Sequence, residues 1–179
     1  MITLADFLDH FRRQRRWTLS VVGAIPSRHF DWAPAKGAFS CGDLVRHLMQ
    51  AEIFWCRLLT AAAAGESLDP FGLEGAAEER MQSFRGRNLE SSHNTDYGAS
   101  AAECVERWSK IQQRTETELG ALPDSALVDV VIDHPLTRLE APLWEGLLVM
   151  IEHEAHHRGQ LSAYLKMLEV EQPAAAIAT

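Results

Sequence analysis

Four segments of this chain carry apolar residues at helical spacing, and each is bounded by residues that stop a helix. A helix with one apolar stripe cannot leave that stripe in water, so four of them must bury their stripes against one another. The first opens at Thr3, with Asp6 as its capping-box partner. It runs through Leu4, Phe7, Leu8, Phe11, Thr18, Leu19 and Val22 until Pro26 ends it. Ser40 with Asp43 marks the second, whose stripe is Leu44, Leu48, Ala51, Trp55 and Leu58, and Gly65 stops it after Ala64. The third starts at about Ser100 and carries Cys104, Trp108, Ile111, Thr115, Leu119 and Leu122 to Pro123. The last begins near Ala141-Pro142, proline being tolerated in a first turn, and continues to about Glu169.

The connections select the topology. Residues 66–94 contain Pro70, Gly72, Gly75 and Gly86, with a short helix expected at Ala76–Phe84. That segment is too long for a bare hairpin loop, so it crosses the bundle and favours an up-down-down-up order over simple alternation. Leu127–Ile132 is rich in β-branched residues and is followed by Asp133-His134-Pro135 and Leu136–Leu139. A small β-hairpin leaning on the helices is expected there. The predicted fold is therefore an all-α four-helix bundle, one domain over residues 1–171, with a frayed alanine-rich tail at 172–179.

Charge and cysteine usage narrow the function classes. Seventeen basic against 25 acidic residues give a formal charge of −8, which argues against a broad nucleic-acid-binding face. The cluster Arg12-Arg13-Gln14-Arg15-Arg16 is the local exception, either a solvated helix face or a contact for an anion or acidic partner. Cys41, Cys56 and Cys104 are odd in number with no C-x-x-C pair, which indicates a reducing compartment. Met1–Phe11 lacks the apolar core of a signal peptide, and no apolar run reaches about 18 residues. A cytoplasmic location without membrane contact is expected.

Three of the eight histidines fall within His153-Glu154-Ala155-His156-His157. On a helix, His153 and His157 lie one turn apart on one face, and Gly146, Gln160 and Tyr164 share their arc. Gly146 is expected to leave room for a substrate, Gln160 and Tyr164 to orient water or donate hydrogen bonds, and His156 to sit at the rim. His47, on the second helix, can face them. The histidines either form a polar seam held by hydrogen bonds or grip an ion, because partly buried imidazoles need partners. Three neutral imidazoles suit zinc, nickel, cobalt or iron and leave positions open for water or substrate. The same residues spell H-E-x-x-H, with Glu154 where a zinc protease has its general base. No suitable third ligand follows downstream, so Glu154 is expected to pair with Arg158 or to orient water. Di-iron chemistry expects a second Glu-x-x-His, which is missing. Cys41 stands at a helix N-terminus but has no neighbouring histidine in sequence.

Leu44-Val45-Arg46-His47-Leu48 with Trp55 downstream, the run from Ile151 to Leu161, and Tyr164-Leu165 resemble the DinB/YfiT-like family of four-helix-bundle metalloproteins. The resemblance spans nearly the whole chain. It implies that His47, His153 and His157 bind one divalent metal at one end of the bundle, with His156 and Arg158 as motif residues outside that triad. Members resemble metal-dependent hydrolases or thiol-dependent transferases that use low-molecular-weight thiols, and homodimers are common among them. The expected function is a divalent-metal protein, with zinc or nickel as the ion, acting on a small-molecule substrate through activated water or a bound thiolate. Glu154, Gln160 and Tyr164 are its candidate catalytic residues. The competing reading is a non-catalytic metal-binding or stress-response interaction protein whose site is structural.

Overall fold

The structure, a computed structural model, describes residues 3–68, 79, 82, 90–133 and 140–172. Four long helices dominate: α1 (Leu4–Gly23), α2 (Cys41–Ala63), α3 (Ala101–Gly120) and α4 (Leu143–Met167). Capping fixes three of the starts. Thr3 with Asp6 and Ser40 with Asp43 form complete capping boxes, and the Ser100 hydroxyl accepts from the Glu103 amide. Pro142 precedes α4, where its missing N–H would have had no helical partner.

The order is up-down-down-up, as two hydrophobic clusters make plain. One joins the N-terminal half of α1 (Leu4, Phe7, Leu8, Phe11) to the C-terminal parts of α2 (Trp55, Leu58, Leu59) and α3 (Leu119) and the start of α4 (Leu143, Leu147). The other joins the opposite ends, including Val21, Val22, Leu44, Leu48, Cys104, Trp108, Leu161 and Leu165. Hence α1 and α4 run one way, and α2 and α3 run the other. The helices pack along the four sides α1–α3, α3–α2, α2–α4 and α4–α1. Parallel neighbours α2 and α3 need a connection that returns along the bundle, which is why residues 64–100 are long.

The end of that crossover is pinned from inside. Arg46 is buried; its Nε donates to the Ser92 carbonyl and Nη1 to that of Gly98, while Nη2 pairs with Asp43 at 2.8 Å. The short helix expected at Ala76–Phe84 lies outside the described residues, apart from Glu79 and Gln82, which are helical. Residues 173–179 of the expected tail also lie outside them, and Gln172 donates to the Ser162 carbonyl.

A two-stranded hairpin precedes α4, and its first strand starts later than expected. Ala126–Asp129 forms a single helical turn, β1 is Val131–Asp133 and β2 is Glu140–Pro142, antiparallel with Ile132 opposite Ala141. The expected strand at Leu136–Leu139 falls outside the described residues. Local carbonyls capture the β-branched stretch: Val128 and Asp129 donate to the Ser125 carbonyl and Val130 to that of Ala126. Val128 and Val131 are exposed, so only Ile132 rewards pairing by burial. Among the described residues, no helix is long and apolar enough to cross a membrane.

Gly146 is a correction. A Cβ there would lie 2.6 Å from Leu59 Cδ2 and 2.7 Å from Ile132 Cδ1. The missing side chain admits the buried Ile132 of the hairpin and does not make room for a substrate. Gly146→Ala should lower stability by about 1 kcal/mol, because overpacking of about 1–3 kcal/mol outweighs the roughly 1 kcal/mol gain in helix propensity. Urea denaturation measures this, and an equally stable variant would contradict the packing account.

Candidate metal centre

The buried stripe of α4 runs Leu143, Leu147, Met150, Glu154, Arg158, Leu161 and Leu165. The histidines stand one step to its side, on the flank turned to α2. His47, on α2, is buried, and His153 and His157 are half-buried. Their Nε2 atoms converge: His47 to His153 is 3.1 Å and His157 to His153 is 3.2 Å. Among the described residues these three form the group able to hold a metal ion, with all ligand atoms within 4.8 Å of one another.

Electrostatics keeps them uncharged. Burial, reinforced by His157, lowers the pKa of His47 to about 4, and burial with the neighbouring histidines lowers that of His153 to about 3. His157 is also lowered, chiefly by burial. Neutral imidazole is the form that ligates, so no proton has to leave before an ion enters. Gln160 Oε1 lies 2.6 Å from His157 Nδ1. With Nδ1–H donated to that oxygen, the His157 lone pair sits on Nε2, toward the other two rings.

The donor set fits a divalent ion. Two nitrogens held at about 2.0–2.1 Å from one ion stand roughly 2.8–3.0 Å apart in octahedral and roughly 3.3–3.4 Å apart in tetrahedral geometry; the two separations from His153, 3.1 and 3.2 Å, lie between these values, and the third pair lies within 4.8 Å. Each of these contacts needs either an N–H between the rings or a shared cation, because two bare imidazole lone pairs would repel. Phe39 lies against the His47 ring and His156 against that of His157, with centroids 5.4 and 4.9 Å apart.

The other predicted residues divide. Gln160 joins the centre through His157. Tyr164 lies farther along the same flank, edge-on to Trp32 at 5.5 Å, and burial raises its pKa so that it keeps its proton. Glu154 is not brought into the ligand group. It turns toward α1, where Arg15 Nε donates to its Oε1 (3.1 Å) and Arg15 Nη2 to its Oε2 (2.8 Å). Arg158, the expected partner of Glu154, instead donates to Gln14 and Thr18 and stacks over Trp17 at 3.9 Å. Cys41 is no activated nucleophile: burial pushes its thiol up to about 11. His10 and His93 are exposed, the latter paired with Asp43, and His134 lies outside the described residues.

The buried polar cluster of Arg15 and Glu52 against Trp108, itself expected on the third helix's stripe, has no counterpart among the sequence expectations. Arg15 Nη2 also meets Glu52 Oε2 at 2.7 Å, and the Trp108 indole N–H donates to that oxygen at 2.6 Å. The guanidinium lies over the Trp108 ring at 4.3 Å. The signal was positional: Arg15 falls on the apolar stripe of α1, four residues after Phe11 and three before Thr18.

Fold and site together define a helical-bundle protein with a three-histidine cluster able to hold a metal ion at the α2–α4 seam. The family model of the DinB superfamily matches residues 10–161, and the chain belongs to that superfamily. It is 24% identical over 164 residues to the uncharacterized protein YjoA of Bacillus subtilis (strain 168), covering 90% of this chain and 88% of that protein. The crystal structure of a DinB-like protein from Bacillus cereus ATCC 10987 superposes with a TM-score of 0.65, spanning 96% of this chain and 97% of that one at 17% identity. That likeness shows the shared fold.

The lowered histidine pKa values set a pH dependence. Between the ordinary histidine value of 6.5 and folded values of about 4 (His47) and about 3 (His153), the unfolded chain binds more protons than the folded one. Stability of the metal-free protein should therefore fall as pH drops through that window, and less steeply in a His47→Ala/His153→Ala variant. Chemical denaturation across the window tests this; parallel profiles for the two proteins would contradict it.

Proposed function

We propose that His47, His153 and His157 hold one divalent cation, zinc or nickel by preference, and that the protein uses it as a metal-dependent enzyme on a small-molecule substrate. The observation that carries the reading is the convergence of three uncharged Nε2 atoms at 3.1 and 3.2 Å on a half-buried seam. A cation held by three protein ligands keeps positions open and supplies Lewis acidity, lowering the pKa of water or binding a substrate thiolate. Low-molecular-weight thiols are the cosubstrate class we assign. The protein's own thiols are excluded as nucleophiles: Cys41, Cys56 and Cys104 are buried, with pKa values of about 11, 12 and 11 raised chiefly by burial.

The chain's residues then have distinct tasks. Gln160 fixes the tautomer and ring orientation of His157. Tyr164, protonated, is a hydrogen-bond donor for the substrate, with Trp32 as its wall. Glu154, committed to Arg15, supports the helix that carries two ligands and does not act as a base.

Cobalt(II) offers a direct test, since it is a spectroscopic substitute for zinc with nitrogen and sulfur ligands. Titrating the cobalt-loaded protein with 2-mercaptoethanol should raise a sulfur-to-cobalt charge-transfer band, absent from His153→Ala. A cobalt-loaded protein that shows no such band would exclude the thiol reading and leave water activation.

A further inference from the structure

The layer beneath the histidines holds two polar atoms with no partner. Arg15 Nη1 and Glu52 Oε1 are both fully shielded from solvent and complete no hydrogen bond, although their residues are 1% and 5% exposed. Thr115 favours the Glu52 carboxylate from one side, yet completes no bond to Oε1. Leaving a buried charged group short of a hydrogen bond is costly, so such atoms ordinarily meet an ordered water.

Both residues also line one small cavity. Arg15, Glu52, Ala51, His153 and Glu154 all line it, and its volume is about 10 Å³, close to the roughly 10–15 Å³ that a single water requires. Of the residues around it, Arg15 carries an unpartnered donor, Nη1–H, and Glu52 an unpartnered acceptor, Oε1. The cavity is too small for an organic ligand. One wall is His153, whose Nε2 is already turned to the other histidines.

We propose that this cavity binds one water, held by Arg15 Nη1 and Glu52 Oε1, and that the water meets the remaining ring nitrogen of His153, Nδ1, tying the Arg15–Glu52–Glu154 network to that ring. Arg15 and Glu52 are then positioning residues for a metal ligand, acting from the bundle core and touching neither metal nor substrate. The second half of this statement rests on the three-histidine metal reading; the first does not. Outer partners of ligating histidines generally change metal affinity by about 10–100-fold when removed.

A high-resolution crystal structure of the wild-type protein should show one water peak within hydrogen-bonding distance of both atoms. An empty cavity, or Arg15 Nη1 bonded directly to Glu52 Oε1, would overturn the site. Zinc affinity is then measured by chelator competition for wild type, Glu52→Gln, which keeps shape but removes charge, and Ala51→Val, which fills the cavity and leaves the charges intact. Each variant retaining wild-type helicity should bind zinc about tenfold more weakly. Undiminished affinity in a folded variant would overturn the positioning role. A wild-type protein that binds no zinc marks instead the failure of the metal reading, and the tie to a metal ligand falls with it.

Discussion

One guanidinium shared between two carboxylates organises the interior of this bundle. Each helix contributes one stripe residue to the layer: Arg15 from α1, Glu52 from α2, Trp108 from α3 and Glu154 from α4. The layer lies between the two hydrophobic clusters, so the core is apolar at both ends and polar in the middle. Burial lowers the pKa of Arg15, but Glu154 and Glu52 more than restore it, so the charge persists inside. Burial works the other way on Glu52 and raises its pKa against the pull of Arg15 and Trp108. A buried ion pair of this kind adds little net stability over apolar packing, but separating its members is expensive. Any axial slip of one helix parts the guanidinium from an oxygen it needs. The layer therefore penalises wrong registers more than it stabilises the right one.

Register matters because the three clustered histidines come from two helices. His47 stands on α2 five residues before Glu52, and His153 and His157 flank Glu154 on α4. A slip of one residue moves a helix by about 1.5 Å and turns it by about 100°, which would disperse nitrogens now 3.1 and 3.2 Å apart. Fold specification and site assembly thus share one set of contacts. The crossover is secured separately, through Arg46 and its two carbonyl acceptors, so its length does not loosen the α2–α3 pairing.

Much of this was legible in the sequence because helix periodicity and capping are local. Thr3 with Asp6, Ser40 with Asp43, and Ser100 announce three helix starts, and proline and glycine mark the ends. The i,i+4 histidines follow from helix geometry alone, and their partner His47 follows from its place on a facing helix. What was not legible depends on contacts between distant segments. Arg15 resembles its neighbours Arg12, Arg13 and Arg16 in composition, and only its stripe position separates it from the solvated face. Glu154 has the sequence neighbours of a catalytic base, but its direction is set by an arginine 139 residues earlier. Gly146 offers space in the sequence and loses it to Ile132 in the fold. The hairpin was foreseen in kind and misplaced in extent, because local carbonyls competed successfully for the first β-branched residues.

The central claim is that three histidines on α2 and α4 hold one metal ion, and the most direct test is metal content. Freshly purified protein without a histidine tag should carry about one divalent ion per chain, with three neutral imidazoles as its ligands. The His47→Ala/His153→Ala/His157→Ala variant, still helical, should carry only traces. Equal trace amounts in both proteins, even after incubation with zinc or nickel, would contradict the claim and reduce the cluster to packing and hydrogen bonding within the bundle.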